Sequence, residues 1–226
     1  MVSKAGLISR SDAKVYIRSG RVSVDGVIVR SAAEKFPENS IILLDSEKII
    51  YEKNVYYMMN KPKGIVSASE DKKEKTVVDL IAEKGNRNLF PAGRLDKDTT
   101  GFVLITDDGD FAHKILSPTR HIEKEYIVET DLPIEKELVE FFEEGIDLGD
   151  FTSLPATLKI LEEKKAAVVL KEGKYHQIKR MFLKFGLTVT SLKRIRMGEL
   201  FLDENLKEGE YKKLTPGDVS KIAQRE

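Results

Sequence analysis

The chain contains no cysteine and no tryptophan, and the missing cysteine limits the chemistry open to it. Without thiols there is no disulfide, no cysteine nucleophile, and no Cys-ligated zinc or iron–sulfur cluster. Mechanisms that depend on a cysteine adduct are therefore excluded. A chain without disulfides suits the cytoplasm, and we expect that location.

Long apolar runs are also missing. No segment approaches the length needed to span a bilayer, and the start MVSKAGLISRSD lacks the apolar core and cleavage site of a secretory signal. The three histidines, His113, His121 and His176, are scattered without an HExxH pair, so we predict no metal site. With 226 residues, 41% hydrophobic and 34% charged, the chain suits one sizeable domain plus a small module.

The formal net charge of zero hides strong local imbalances. Residues 1–35 hold seven basic and three acidic side chains, a net charge of +4. Residues 171–196 hold eight basic and one acidic side chain, a net charge of +7, and residues 131–150 hold one basic and eight acidic, a net charge of −7. Opposed patches of this kind suit a directional RNA-binding surface, although ordinary solvated helix faces would produce the same pattern.

The N-terminal 45 residues predict a small helix-and-hairpin module. Ser9 is a good helix N-cap, Asp12 completes a capping-box-like pattern three residues later, and Gly20 supplies a stop. The following stretch, RVSVDGVIVR, alternates valines with polar residues around an Asp-Gly turn. This pattern predicts a two-residue hairpin with one apolar face, on which Val24 lies opposite Val27.

The rest of the chain predicts a larger domain. Residues 46–54 are the predicted linker, and residues 55–226 the second domain. A strand is expected to begin at VYYMMNKPKG, and further strands are expected at 101–106, 122–129, 156–162, 165–171 and 187–195. Helices are expected at 76–83, 109–116, 134–144 and 175–185. The strands and helices do not follow a βαβ rhythm, so we predict an α+β fold with a mixed or antiparallel sheet and flanking helices.

The most unusual segment is PAGRLDKDTTGFVLITDDGD at residues 91–110. Two glycines flank a polar loop that carries Arg94, Asp96, Lys97 and Asp98. Burying these charges without partners would be costly. The loop is therefore either exposed or part of a polar cleft.

This segment closely resembles the GRLD signature of pseudouridine synthases of the small-ribosomal-subunit, or RsuA-like, family. The helix and hairpin resemble that family's alpha-L RNA-binding domain, MNKPKG its first catalytic motif, KEYIV (124–128) its tyrosine motif, and GKYHQIKRM (173–181) its basic motif. The arginine-rich start typical of the family is absent ahead of Gly6, so we expect part of the first helix to be missing.

The resemblance implies an isomerase that converts uridine to pseudouridine in ribosomal RNA, most specifically small-subunit (16S) RNA. The implied fold is an alpha-L module followed by a mixed, mainly antiparallel β-sheet catalytic domain with flanking helices. The reaction conserves atoms, so it requires no cofactor, and the sequence has no Walker loop or dinucleotide fingerprint. The implied partner is ribosomal RNA or the assembling small subunit, with a monomer as the default expectation.

By match to the family, Asp96 is the catalytic carboxylate, acting on a nucleotide extruded from its stack. A carboxylate can stabilise or capture the positive charge that develops on a sugar; whether Asp96 attacks the sugar, attacks the base or removes a proton from C2′ stays open. Lys179 is assigned the ion pair with Asp96, with Arg180 as the alternative. Tyr126 matches the family's tyrosine, although by pattern alone it would be a core aromatic.

Further residues are expected to contact RNA. For Arg94 the alternative to an RNA contact is a loop salt bridge to Asp98 or Asp107, and lysines in turns, such as Lys61 and Lys63, are commonly only solvated. The predicted RNA-binding set is Arg94, Lys61, Lys63, His176, Arg180, Arg10, Arg18 and Arg21.

Three other functions fit parts of the sequence. One is a synthase for large-subunit ribosomal RNA. Another is a non-catalytic RNA-binding assembly factor, which would have no need of Asp96, Tyr126 and Lys179 together. The third is a glycosidase with a carboxylate pair, for which Asp98 is the nearby second acid.

Overall fold

The computed structural model describes residues 9–37, 40–49, 52–82, 87–117, 120 and 122–223. The predicted loss of helix ahead of Gly6, and the position of His121, lie outside these ranges. The described chain divides into two compact units. The first runs up to Asn54 and includes part of the segment Ala82–Asn88, and the second comprises Val55–Ile81 and the chain from Leu89 onward.

Over its described residues, the first unit contains one helix and a four-stranded antiparallel sheet in the order β2-β1-β3-β4. Six of these described residues are buried in its core: Ala13, Val22, Val24, Val29, Ile42 and Ile49. The elements are α1 (Arg10–Arg18), β1 (Val22–Val24), β2 (Val27–Ile28), β3 (Ile42–Leu44) and β4 (Glu47–Ile49).

The local signals in this unit are confirmed with one change. The Ser9 side chain caps α1 by accepting a hydrogen bond from the backbone N–H of Asp12. Both turn residues between β1 and β2 have positive φ angles, 49° at Asp25 and 83° at Gly26, as the two-residue hairpin turn requires. Val24 pairs with Val27, but Val27 lies on the edge strand and is 68% exposed. The apolar face is therefore narrower than predicted.

The sheet of the first unit continues into the predicted linker. Residues 47–49, inside the predicted 46–54 linker, form β4 and pair with β3. Ile49 lies opposite Ile42, and both are buried in the core of the unit. Burial of this isoleucine explains why the chain stays ordered as a strand beyond residue 45.

The second unit is built on a nine-stranded sheet, counted over the described residues. Its strands are β5 (Tyr56–Lys61), β6 (Phe90–Ala92), β7 (Thr100–Thr106), β8 (Lys124–Thr130), β9 (Thr157–Glu162), β10 (Lys165–Leu170), β11 (Val189–Met197), β12 (Leu200–Phe201) and β13 (Tyr211–Lys213). Its helices are α2 (Gly109–Leu116), α3 (Leu138–Glu144), α4 (Gln177–Leu183) and α5 (Pro216–Ala223), with a 3₁₀ turn at Val78–Leu80.

The strand order is β13-β5-β7-β11-β8-β10-β9, with β6 also paired to β7 and β12 to β11. Among the described strands, β7 and β11 form the one parallel pair, and the others are antiparallel. This confirms the predicted mixed, mainly antiparallel sheet with flanking helices.

Both faces of this sheet are covered, and the strand alternation explains how. Along β7, Val103 and Ile105 belong to one core, while Phe102 and Leu104 belong to another, as expected for side chains that alternate between faces. Helices α3 and α4 contribute Phe142, Met181 and Phe182 to the first core, and α2 and α5 contribute Ile115, Val219 and Ile222 to the second. No helix among the described residues is both long and apolar enough to cross a membrane.

The helix predicted at 76–83 is wrong. Thr76 forms a parallel bridge with Val66, and the Val77 N–H donates to the Val66 carbonyl at 3.0 Å. These long-range bonds occupy backbone groups of the segment, and a 3₁₀ turn rather than an α-helix forms at Val78–Leu80. Residue 83 lies outside the described ranges.

Candidate active site

The segment between β6 and β7 carries Asp96, and two glycines set its ends. Gly93 and Gly101 both adopt positive φ angles, 95° and 96°, which few residues other than glycine adopt. At Gly101 a Cβ atom would lie 2.2 Å from the backbone oxygen of Arg194 on β11. The parallel contact between β7 and β11 therefore requires glycine at this position.

Three buried polar side chains hold this loop in place. Lys61, at the end of β5, directs its ammonium to the carbonyls of Lys97 (3.2 Å) and Thr99 (2.8 Å). The Ser67 hydroxyl bonds both the carbonyl (2.9 Å) and the N–H (3.1 Å) of Leu95. Arg194 donates to the carbonyl of Gly93 at 3.0 Å. Because these bonds fix the backbone on both sides of Asp96, its carboxylate is presented from a rigid loop.

Lys179, on α4, lies between two carboxylates. Its Nζ donates to Oδ2 of Asp96 at 2.9 Å and to Oδ1 of Asp98 at 2.7 Å. The Nε2 atom of His176 lies 3.5 Å from the same Asp96 oxygen. The side chain of Asp96 is 30% exposed, so its carboxylate stays reachable from the pocket.

Lys179 and its carboxylate partner Asp98 change each other's pKa values. The hydrogen bond from Lys179 lowers the pKa of Asp98 below its ordinary value. Burial of Lys179 acts to lower its pKa, but the hydrogen bonds to Asp98 and Asp96 outweigh it and the pKa is raised. In contrast, burial lowers the pKa of Lys61 to about 8, despite the nearby Asp98 and Asp96. The hydrogen bonds therefore favour the charged forms of Lys179 and Asp98, whereas burial disfavours the charged form of Lys61.

Asp96 opens onto a small pocket that is open to solvent. The wall includes apolar side chains from the first core, Leu95, Leu170, Ile178 and Leu192, together with Tyr126 on β8. Tyr126 is 7% exposed. A carboxylate beside a wall that combines these apolar side chains with polar and charged ones suits a planar base bound beside a sugar on which positive charge develops.

His176 is held in an unusual backbone conformation at the edge of the pocket. Its φ of 49° and ψ of 29° place it in the left-handed region just ahead of α4, where a non-glycine residue is strained. Its ring stacks on Tyr175 with 3.8 Å between centroids. The helix predicted from residue 175 therefore begins later, because His176 breaks the helical conformation.

The structure brings together five of the predicted site residues. Asp96, Tyr126, Lys179, Arg94 and His176 all line this pocket. Arg94 is exposed there.

Two predicted RNA contacts are placed elsewhere. Lys61 is fully buried and its ammonium is taken by backbone carbonyls, so a direct RNA contact from Lys61 is incompatible with its position. Arg180, the alternative partner of Asp96, instead forms an ion pair with Asp150 and donates to the Leu148 carbonyl. These contacts join α4 to the loop that contains Leu148 and Asp150, and Arg180 does not face the pocket.

Three of the four remaining predicted contacts, Lys63, Arg18 and Arg21, are exposed. Lys63 is exposed in the turn after β5, and Arg18 is exposed on α1. Arg21 pairs with Asp45 and its guanidinium lies 4.1 Å from the Tyr16 ring centroid. Arg10 begins α1, and its side chain lies outside the described part of the chain.

The basic segment 171–196 is less open than its net charge indicates. Arg194 is 1% exposed and Arg196 9% exposed, and Arg196 pairs with Glu123 and Glu125. Lys179 and Arg180 are likewise paired. Exposed positive charge in this segment is therefore carried mainly by its lysines, including Lys174 and Lys184.

Sequence reasoning missed the structural roles of Ser67 and Arg194. Arg194 was counted in the basic patch, although its place in the strand beside Leu192 could have indicated burial. For Ser67 the sequence offers no signal, since its two bonds to Leu95 join residues 28 positions apart. Within the described ranges, no group of three or more His, Asp or Glu side chains is arranged to hold a metal ion.

Comparison with known proteins gives the family of this chain. Residues 55–184 match the RNA pseudouridylate synthase family, and residues 1–42 match the S4 domain. "Ribosomal small subunit pseudouridine synthase A" of Vibrio cholerae is 41% identical over 216 residues, which cover 95% of this chain and 94% of that protein. "Uncharacterized RNA pseudouridine synthase YtzG" of Bacillus subtilis is 39% identical over 226 residues, covering 97% and 95%.

A solved structure is similar throughout. A crystal structure of a pseudouridylate synthase is 38% identical, with a TM-score of 0.72 over 98% of this chain and 96% of that one. These matches confirm the resemblance inferred from GRLDKDTTG and the other motifs. The chain is an enzyme, and it belongs to the RNA pseudouridylate synthase family.

Proposed function

We propose that this enzyme isomerises a uridine of small-subunit (16S) ribosomal RNA, with the Asp96 carboxylate acting on the sugar of an extruded nucleotide. The observation that carries the proposal is the Asp96–Lys179 pair, 2.9 Å apart, in a pocket whose wall also includes Tyr126 and apolar side chains. The choice of RNA is supported by relatives in Vibrio cholerae and Escherichia coli that are named as small-subunit pseudouridine synthases.

The bond changes assign a task to each residue. The bond from ribose C1′ to uracil N1 breaks, C1′ joins C5, and the proton lost from C5 is balanced by one gained at N1. Asp96 faces the positive charge that develops at C1′ and stabilises or captures it. Lys179 supplies the neighbouring positive charge and a charged hydrogen bond that orients the carboxylate.

Tyr126 and Arg94 position the nucleotide. The Tyr126 ring packs against the base after cleavage, and its hydroxyl assists removal of the C5 proton. The base of a paired nucleotide is out of reach of a side chain in a loop, so the target must be extruded or single-stranded. Arg94, exposed at the pocket, fills the emptied space or holds a phosphate.

The catalytic assignment is tested with Asp96→Asn, which keeps shape and removes charge. We expect pseudouridine formation on a 16S transcript to fall by roughly 1,000-fold or more, as for loss of other central catalytic groups. The measurement is tritium release from C5-tritiated uridine, with the modified position mapped by mass spectrometry.

Asp98→Asn is the matched control. Asp98 also bonds Lys179, but it is 58% exposed and is absent from the pocket wall. We expect its rate to stay within about tenfold of the parent, the scale of one exposed ion pair. Full activity of Asp96→Asn would remove the catalytic assignment, and a loss in Asp98→Asn equal to that in Asp96→Asn would favour a carboxylate pair.

The target is tested separately. The gene is deleted in its host, and pseudouridine is mapped in both ribosomal RNAs. Loss of one site in small-subunit RNA is expected. Loss in large-subunit RNA would redirect the target without affecting the assignment of Asp96.

A further inference from the structure

Thr99 carries a buried hydroxyl without a hydrogen-bond partner among the described residues. Thr99 is one of the residues of the pocket wall that also includes Asp96 and Tyr126, and it is 2% exposed. Among the residues that the structure describes, no atom lies within hydrogen-bonding distance and geometry of its Oγ1. A buried hydroxyl without a partner is destabilising, and native proteins contain few.

The other buried hydroxyls of this protein show that Thr99 is an exception. Within the described ranges, each of the five remaining buried Ser and Thr side chains is hydrogen-bonded to another part of the chain. These are Ser67, Thr76, Thr106, Thr130 and Ser153. The Asn60 oxygen is the other unpartnered buried side-chain atom in the described residues, and Asn60 is not part of the pocket wall.

The backbone of Thr99 is fixed by two hydrogen bonds. Its N–H donates to the Asp96 carbonyl at 3.1 Å, and its own carbonyl accepts from the Lys61 ammonium at 2.8 Å. Threonine is also branched at Cβ, which restricts its rotamers. The protein therefore maintains an unsatisfied polar group at a fixed place, three residues after the proposed catalytic carboxylate.

We propose that the Thr99 hydroxyl hydrogen-bonds the uracil base of the target nucleotide and so orients it above Asp96. A hydroxyl can donate to a uracil carbonyl or accept from the ring N–H. The cost of the unpaired hydroxyl is then a feature of the empty pocket and is relieved when the base enters. This inference rests on the proposed function, because it assigns a contact to the same substrate.

The test separates a substrate contact from a structural role. Thr99→Val keeps the shape and removes the hydroxyl. Replacing an unpaired buried hydroxyl with a methyl group should leave the thermal midpoint unchanged or raise it. The value of kcat/KM for pseudouridine formation should fall roughly 3- to 10-fold, the equivalent of one neutral hydrogen bond. Thr99→Ser, which keeps the hydroxyl, should recover most of this loss.

Thr106→Val is the matched control. Thr106 is fully buried, but its hydroxyl donates to the Val55 carbonyl at 2.6 Å, and it is not part of the pocket wall. The same substitution here should lower the thermal midpoint and leave kcat/KM of the folded enzyme close to the parent. The two variants are thus expected to change stability and activity in opposite ways.

A second substrate distinguishes the base from the sugar. The affinity of parent and Thr99→Val is measured for one RNA carrying uridine and one carrying 2′-deoxyuridine at the target. An equal loss of affinity with both RNAs supports a contact to the base. A loss that disappears with 2′-deoxyuridine would assign the hydroxyl to the ribose 2′-OH and overturn the proposal.

The remaining outcomes are also decisive. A Thr99→Val enzyme as active as the parent, or one with a lowered thermal midpoint, overturns the inference. If the parent itself forms no pseudouridine in small-subunit RNA, the proposed function fails, whatever the Thr99→Val variant does.

Discussion

At the scale of single residues, the position of Lys179 between Asp96 and Asp98 couples stability to pH. The pKa of Asp98 is lowered by Lys179 in the folded chain, so this pair contributes stability above the ordinary carboxyl value of 3.8 and loses it as the pH falls further. The raised pKa of Lys179 means that its contribution is fully present below its ordinary value of 10.5 and is lost as the pH rises through the folded value.

Lys179→Met should remove both of these pH-dependent contributions to stability. We expect the parent to be more stable than the variant by a constant amount between about pH 5 and pH 9, and the difference to shrink toward about pH 3. Pseudouridine formation should fall roughly 10- to 100-fold, the equivalent of one charged hydrogen bond to Asp96. Urea unfolding followed across this pH range measures the first, and tritium release the second.

Lys184→Met provides the comparison for that series. Lys184 is exposed at the C-terminal end of the same helix, so its removal should give no pH-dependent difference around the carboxyl range. A difference between parent and Lys179→Met that stays constant down to pH 3 would contradict the coupling of Lys179 to Asp98.

At the scale of elements, the parallel contact between β7 and β11 depends on Gly101. Gly101→Ala places a Cβ atom 2.2 Å from the Arg194 oxygen at a φ of 96°. Since the clash is with backbone, one of the two strands must move, and we expect the free energy of unfolding to fall by about 3 kcal/mol. Denaturant unfolding measures this, and activity should fall with it because the adjoining loop carries Asp96.

Gly109→Ala is the internal reference. Gly109 starts α2, has no positive φ, and a Cβ there would meet nothing within 4 Å. Alanine is a better helix former, so stability should stay the same or rise by up to about 1 kcal/mol. Equal losses in the two variants would mean that Gly101 matters for a reason other than the contact with Arg194.

Elements with strong local periodicity were predictable from the sequence. The helix predicted at 175–185 forms as α4, in which Ile178, Met181 and Phe182 are buried, and the strand predicted at 101–106 forms as β7. The absence of an α-helix at residues 76–82 was not predictable, because the hydrogen bond from Val77 to Val66 is long-range and overrides local helix propensity. In the candidate site, motif matching located Asp96 and Lys179, whereas burial of Lys61 depends on which carbonyls the fold brings around it.

At the scale of the whole molecule, the two units have hydrophobic cores of very different size. Among the described residues, six are buried in the core of the first unit, whereas the second unit has an extensive core on each face of its sheet. Small domains bury a smaller fraction of their surface and are marginally stable. We therefore expect amide hydrogens in β1 and β3 to exchange faster than those in β7 and β8.

Val24→Ala should enlarge that difference. Val24 is 5% exposed in the small core, and its truncation should cost about 2 kcal/mol, a large share of the stability of a unit this size. Hydrogen exchange read by mass spectrometry should show lost protection in α1 and β1–β4, with β7 and β8 unchanged. Val168→Ala, fully buried in the large core, should reduce protection in the second unit instead. If Val24→Ala lowered protection equally across both sheets, the two units would have to unfold as one cooperative structure.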